Sequence, residues 1–199
     1  MKEIEILVDF EDDKETVLKL LSKYEYIGDK KLYDTYYEDP LRDNLKPLPN
    51  LRVNELFRVR RIGKECIITY KKNHFEGRRW VYSDEYETKA ESYEMIESII
   101  KMLGLEEQIV VNNHRRFYRY EDYEITLDDL HENGLFIEVE RLVDDDNVDT
   151  NKVKHEIRDF INNMGFTNPR EMNIGKNQLV LAKKLGRTDI RLHVDEVKE

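Results

Sequence analysis

Apolar and polar residues alternate along much of this chain with the period of two that marks a half-buried β-strand. Residues 2–9, 31–38, 56–62, 65–72, 79–88, 108–119, 122–129 and 135–143 follow that pattern. Gly63-Lys64 divides two of these runs as a hairpin turn, and further turns fall at residues 74–78 around Gly77, near Glu121-Asp122 and at Asn133-Gly134. Pro40, Pro47 and Pro49 mark a loop. Four other stretches read as helices. Residues 13–24 carry Val17, Leu18, Leu20 and Leu21 at helical spacing behind Asp12 or Asp13 as N-cap, residues 91–103 stop at Gly104, residues 149–164 stop at Gly165, and residues 175–185 form the last. The segment after Gly186 is charged and is expected to be loosely ordered. The pattern predicts an α+β chain, mainly antiparallel β. It is divided into one domain over residues 2–184 and a charged C-terminal tail over residues 185–199.

Within the strands the charges are sorted by sign. Glu3-Ile4-Glu5, Arg58-Val59-Arg60, Glu85-Tyr86-Glu87 and Glu138-Val139-Glu140 each put two like charges on one face, and Lys71 stands at a strand end. Like charges on neighbouring positions repel, so a bare sheet gains nothing from them. Carboxylate pairs hold divalent metals, and Arg and Lys pairs hold phosphate oxygens, so the mixture points to a metal–polyphosphate ligand. Ile4, Val59 and Val139 need burial on the other face. Such a sheet can lie open with its charges in water. It can also close into a barrel, with helices over the apolar outside and charges lining a wet interior.

Composition narrows the options. The chain has 199 residues, a net charge of −10 and 39% hydrophobic residues, including 12 Tyr and 7 Phe. That is enough for a core and too acidic for a general nucleic-acid binder. Cys66 is the sole cysteine, which excludes an intramolecular disulfide or a thiolate metal cluster, and it reads as a small buried apolar residue. No zinc-type histidine spacing joins His74, His114, His131, His155 and His193. No glycine-rich phosphate loop occurs, so a phosphate site must be built from side chains. The run Asp144-Asp145-Asp146 lacks the interleaved ligands of a calcium loop. No apolar run approaches a membrane span and no signal segment is visible, so a cytoplasmic protein without membrane contact is expected.

The motifs resemble, in order and spacing, those of the CYTH superfamily of triphosphate tunnel metalloenzymes, most closely its class IV adenylyl cyclase and thiamine triphosphatase branch. Glu3-Ile4-Glu5-Ile6-Leu7 is similar to the opening E-x-E-x-K, and Thr35-Tyr36-Tyr37-Glu38-Asp39-Pro40 to the tyrosine-rich second strand. Phe57-Arg58-Val59-Arg60, Ile68-Thr69-Tyr70-Lys71 and Asp84-Glu85-Tyr86-Glu87-Thr88 resemble the central strands. Ile125-Thr126-Leu127-Asp128 with Gly134-Leu135-Phe136-Ile137-Glu138-Val139-Glu140 resembles the late D…G-x-F-x-E-x-E block.

The resemblance implies an eight-stranded closed β-tunnel with helices packed outside, and Mg²⁺ or Mn²⁺ as cofactor. It implies Glu3, Glu5, Glu138 and Glu140 as metal ligands and Arg58, Arg60 and Lys71 as the catalytic cations. Those three, with Arg115, Glu85 and Glu87, would bind a small triphosphate substrate, and Asp128 would be a further acidic partner. The expected activity is hydrolysis of inorganic, nucleoside or thiamine triphosphate. The alternatives are conversion of ATP to cyclic AMP, for which Tyr33, Tyr36, Tyr37 and Phe75 would line a nucleoside pocket, and a non-catalytic nucleotide- or polyphosphate-binding module. Monomer and homodimer both remain open. Leu7, Ser83 and Asn113 depart from the pattern, each placing a neutral group where a cation is expected, with Lys72, Arg79, Arg116 and Arg119 near enough to compensate.

Overall fold

A computed structural model describes residues 2–77, 79–143 and 148–197, with the backbone alone for residues 2, 3, 79, 142 and 143. The run at residues 144–146 therefore lies outside the described residues. Among the described residues, nine strands form one antiparallel sheet: β1 (Lys2–Asp9), β2 (Glu25–Glu38), β3 (Glu55–Ile62), β4 (Glu65–Glu76), β5 (Arg79–Ala90), β6 (Glu106–Tyr120), β7 (Tyr123–Asp129), β8 (Leu135–Val143) and β9 (Arg170–Glu171). Four α-helices among the described residues accompany them: α1 (Lys14–Leu21), α2 (Tyr93–Met102), α3 (Thr150–Asn162) and α4 (Lys176–Lys184).

The strands run in the order β5-β4-β3-β2-β6-β7-β8-β1-β9, and β5 also pairs with β1. That extra pairing closes eight strands around a tunnel. The seam is short, since only Lys2 with Asp84 and Glu3 with Ser83 are in register across it. Closure follows from the alternation: the face carrying Ile4, Ile6, Val59 and Val139 is apolar and the opposite face is charged. The apolar faces meet helices. Ile4, Ile6, Ile125, Ile137 and Val139 pack with Val17 and Leu21 of α1 and Val153, Ile157 and Ile161 of α3. Val59 and Cys66 pack with Ile100 of α2, which confirms Cys66 as a buried apolar residue. Burial pushes its thiol pKa up, the opposite of what a nucleophile needs. Each of these helices has a side-chain N-cap: Asp13, Ser92 and Asp149 accept from backbone N–H groups of the first turn.

A third apolar cluster fills one end of the tunnel. Leu7, Tyr36, Val111 and Phe136, on the inner face, pack against Met172, Ile174, Leu179 and Leu181 from α4 and the segment before it. This end is plugged by the C-terminal part of the chain.

Several boundaries differ from the sequence reading. β2 begins at Glu25, six residues early, because its first arm pairs with β6 in the open and has no buried face to produce alternation. Gly28, with φ +146°, sits at the register shift of that arm. β4 runs through to Glu76, so Lys71 lies within a strand and residues 74–76 are ladder rather than turn. β9 is too short to leave a periodic signal. The segment after Gly186 is tied to the body in place of the loose order expected. Arg187 donates to the Pro49 carbonyl at 2.9 Å, Asn173 N–H donates to the Leu192 carbonyl at 2.7 Å, and His193 lies between Asp9 (2.8 Å) and Glu196 (3.0 Å).

Candidate functional site

The tunnel encloses a cavity of about 1190 Å³. Arg58, Arg60, Lys71, Arg115, Glu5, Glu85, Glu87, Glu138 and Glu140 all line it, so the structure gathers in one space every expected metal ligand, catalytic cation and triphosphate-binding residue whose side chain is described; Asp128 is not among the lining residues. The side chain of Glu3 lies outside the described residues. The alternation explains the gathering. Glu5, Arg58, Arg60, Glu138 and Glu140 flank Ile4, Ile6, Val59, Ile137 and Val139, which are buried on the outside beneath helices, and this forces the charged side chains inward; Tyr86 between Glu85 and Glu87 is exposed, and the neighbours of Arg115 are polar.

The cations fall into two groups. In the first, Arg58 and Arg60 converge on Asp34 of β2. Arg60 donates to both Asp34 oxygens at 2.7 Å, and Arg58 lies 3.8 Å away. Arg58 also donates to Thr69 Oγ1 at 2.9 Å and stands 3.7 Å from Glu85 and 3.8 Å from Glu87, while Lys71 is 3.3 Å from Glu85. Burial alone would raise the Asp34 carboxyl pKa, but Arg58 and Arg60 outweigh it and hold the group below the usual carboxylate range.

In the second group, Arg115 donates to Asp128 Oδ1 at 2.6 Å, to Asp128 Oδ2 at 2.8 Å and to Glu138 Oε1 at 2.9 Å. Lys176, the first residue of α4, donates to Asp128 Oδ2, which it shares with Arg115, and to Glu138 Oε2. Asp128 is fully buried. Burial would raise its pKa, yet Arg115 and then Lys176 hold it well below the usual carboxylate value. Glu138 is likewise lowered, against burial, by Lys176 and Arg115. Burial and Arg115 pull the Lys176 ammonium down, Asp128 and Glu138 pull harder the other way, and it stays above the ordinary lysine value.

The three departures now have physical accounts. Leu7 belongs to the apolar plug, and Lys176 supplies a cation beside Glu138, the register partner of Leu7. Asn113 donates to Asp128 Oδ1 at 2.6 Å and so shares the carboxylate that Arg115 and Lys176 occupy. Ser83 links two strands: Trp80 Nε1 donates to its hydroxyl at 3.1 Å, and the hydroxyl donates to Asn73 Oδ1 at 2.7 Å. Three of the four expected compensators lie elsewhere. Arg116, Arg119 and Lys72 are absent from the cavity lining, and the side chain of Arg79 is outside the described residues. Of the tyrosines, Tyr36 lines the tunnel within the plug, Tyr37 packs with the α2 cluster and Tyr33 is exposed. Phe75 lines the cavity, with the Arg52 guanidinium 3.5 Å above its ring.

Sequence reasoning missed Asp34, Glu124, Lys176 and Trp80. Register alone reveals Glu124: Glu5 pairs with Glu140 across β1–β8, and Glu140 pairs with Glu124 across β7–β8. Three carboxylates thus stand in one row on the tunnel face. Like charges directly opposite one another are destabilising, and an all-oxygen set is what Mg²⁺ or Mn²⁺ requires. On the strands of the same tunnel, buried Arg58 Nε, Asn113 Oδ1 and Thr126 Oγ1 have no protein partner among the described residues. The donor set and these orphaned atoms fit a hard divalent cation with an oxygen-rich ligand. Glu138 fits less simply, because both of its oxygens already accept from protein cations.

The fold recurs in known proteins. The family model for the CYTH domain matches residues 1–167. A Methanocaldococcus jannaschii protein provisionally named an adenylate cyclase is 29% identical over 182 residues, covering 90% of this chain and 94% of that one. A solved Pyrococcus horikoshii structure superposes with a TM-score of 0.75 at 23% identity, covering 91% of this chain and 99% of that one. A Hippeastrum protein, provisionally named an adenylyl cyclase and described as revealing a dominant triphosphatase activity, superposes with a TM-score of 0.59 at 13% identity over 97% of this chain and 100% of that one. Lys176 and α4 lie beyond the residues that the family model matches, which is why no motif pointed to them. With the curled antiparallel sheet, the inward E-x-E and R-x-R strands and a family match over most of its length, this chain belongs to the CYTH family.

Proposed function

We propose that this protein is a divalent-metal-dependent hydrolase of a small substrate bearing a triphosphate. The observation that carries the reading is one cavity that holds a carboxylate row, Glu5, Glu140 and Glu124, together with the cations Arg58, Arg60, Lys71 and Arg115, with Lys176 at the plugged end.

Hydrolysis adds a water oxygen to the terminal phosphorus and breaks the bridging P–O bond, whose electron pair leaves on the diphosphate oxygen. Negative charge spreads over the transferred phosphoryl and the leaving oxygen, so positioning and charge stabilisation dominate the barrier. Arg58 and Arg60 are suited to this because Asp34, Thr69, Glu85 and Glu87 fix their guanidinium planes before substrate arrives. Arg115 is fixed by Asp128 and Glu138 in the same way. Glu5, Glu140 and Glu124 would hold Mg²⁺ or Mn²⁺, which when bound screens the phosphate charge and activates water. No histidine lines the cavity among the described residues, so no imidazole base is assigned.

The cavity is larger than a bare triphosphate needs, since about 300–1,000 Å³ holds a drug-sized ligand. Phe75 and Trp80 stand on its wall, which favours a substrate with an organic group attached and keeps ATP cyclisation as the second reading. The test offers inorganic triphosphate, ATP and thiamine triphosphate with Mg²⁺ and then Mn²⁺, and follows phosphate, pyrophosphate and cyclic AMP. Metal-dependent phosphate release that disappears in Glu140→Gln supports hydrolysis. Cyclic AMP with pyrophosphate assigns the cyclase reaction instead. Tight triphosphate binding without any product leaves a binding module.

A further inference from the structure

The ammonium of Lys176 sits where the carboxylates of Asp128 and Glu138 converge, taking one oxygen from each. Asp128 and Glu138 are register neighbours on adjoining strands, one step apart along the tunnel face, since Thr126 pairs with Glu138 and Phe136 with Asp128. Two carboxylates aimed at one point form the geometry that bridges a cation. Here the cation is supplied by the chain itself, from a helix 38 residues beyond Glu138.

The helix is built to deliver it. Gly175 is the N-cap of α4, and a Cβ there would meet Asn177 Oδ1 at 2.8 Å. Gly175 N–H donates to Gln178 Oε1 at 2.7 Å, and Gln178 Nε2 donates to the Leu51 carbonyl at 2.7 Å, which fastens the first turn to the plug. Lys176 therefore enters the tunnel at the start of a fixed helix. The arrangement is also costly to keep, because the Arg115 guanidinium shares both carboxylates and opposes the charge on Lys176.

We infer that Lys176 and a divalent cation are mutually exclusive occupants of the Asp128–Glu138 pair. With the pair unmetallated, the ammonium ties α4 down. A metal on Glu138 removes one of its two partners and repels it, and the flexible four-carbon stem lets the ammonium turn towards an anionic ligand in the tunnel. Metal occupancy and the hold on α4 are thereby coupled. The inference rests on the reading that the tunnel takes a divalent cation, and adds Asp128 and Glu138, once Lys176 has left them, to the carboxylates Glu5, Glu140 and Glu124 that would hold one.

The test uses the full chain with Mn²⁺ alone. Calorimetry compares Mn²⁺ affinity in wild type, Lys176→Met and Lys176→Arg, and amide exchange follows residues 176–184 of the wild type with and without Mn²⁺. Lys176→Met should bind Mn²⁺ roughly ten- to a hundredfold tighter, the size of coupling between linked sites, and Lys176→Arg about as the wild type does. Exchange in the first turns of α4 should rise when Mn²⁺ is added to the wild type. Equal affinities in wild type and Lys176→Met overturn the inference. So does tighter binding in the variant with α4 exchange unmoved in the wild type, which would mean simple charge repulsion without displacement. If Lys176→Met does not fold, Lys176→Gln replaces it, and the exchange arm decides on unaltered protein. Mn²⁺ bound by none of the proteins overturns the metal reading itself, a different result from equal binding by all.

Discussion

Replacing Asp128 by Asn tests the buried charge cluster at its centre. Two cations, Arg115 and Lys176, are balanced by two carboxylates, Asp128 and Glu138, and Asp128 is fully buried. The substitution keeps the volume and removes one negative charge, so a buried cation is left uncompensated. Breaking one partner of a buried pair costs about 3–5 kcal/mol. For a chain of this length each kcal/mol moves Tm by roughly 2–4 °C, so Tm should fall by about 10 °C. The pH dependence adds a second check. The carboxyl pKa is held well below its ordinary value in the folded protein, so its contribution is fully present above the unfolded value and is lost as pH falls through the folded one. The gap between wild type and variant should therefore be constant near neutrality and shrink below about pH 4. Thermal unfolding by circular dichroism at pH 7, with urea midpoints at descending pH, measures both. A Tm within about 2 °C of wild type at pH 7, or a gap that does not narrow in acid, would refute the account of this cluster.

Three further outcomes are expected. Leu7→Lys puts a charge into the apolar plug beside Met172 and Ile174, so it should destabilise by about 2–4 kcal/mol in urea titration and leave triphosphate affinity no tighter than wild type. Ser83→Ala removes the acceptor of Trp80 Nε1 and should cost about 1–3 kcal/mol; because Trp80 is the only tryptophan, its emission maximum reports the change directly. Glu140→Gln removes the middle carboxylate of the row Glu5–Glu140–Glu124 and should weaken Mn²⁺ binding at least about tenfold by calorimetry, as loss of a metal-site group does, with a smaller loss for Glu124→Gln.

Much of the site was legible because a strand's period of two assigns faces without further information. Glu5, Arg58, Arg60, Glu138 and Glu140 each flank a residue that must be buried, and the cavity receives all five. What escaped was anything that depends on a neighbour. Glu124 reads as an unremarkable polar residue until the register of β7 with β8 sets it opposite Glu140. Asp34 sits inside a tyrosine-rich strand, and only the β2–β3 pairing places it beside Arg60. The lysine missing at Leu7 could not be matched to Lys176, because a helix at the far end of the chain carries it.

The sequence by itself determined the helices and the eight longer strands apart from the first arm of β2, the sidedness of the strands that alternate, and the collection of opposite charges on one sheet face, since these follow from local periodicity and from the cost of burying charge. The tertiary structure alone decided which charges meet. Closure through two residue pairs at the β1–β5 seam, the register that aligns three carboxylates, and the docking of α4 that sets Lys176 between Asp128 and Glu138 are long-range contacts. They arise from packing complementarity between segments distant in the chain, which no local pattern encodes.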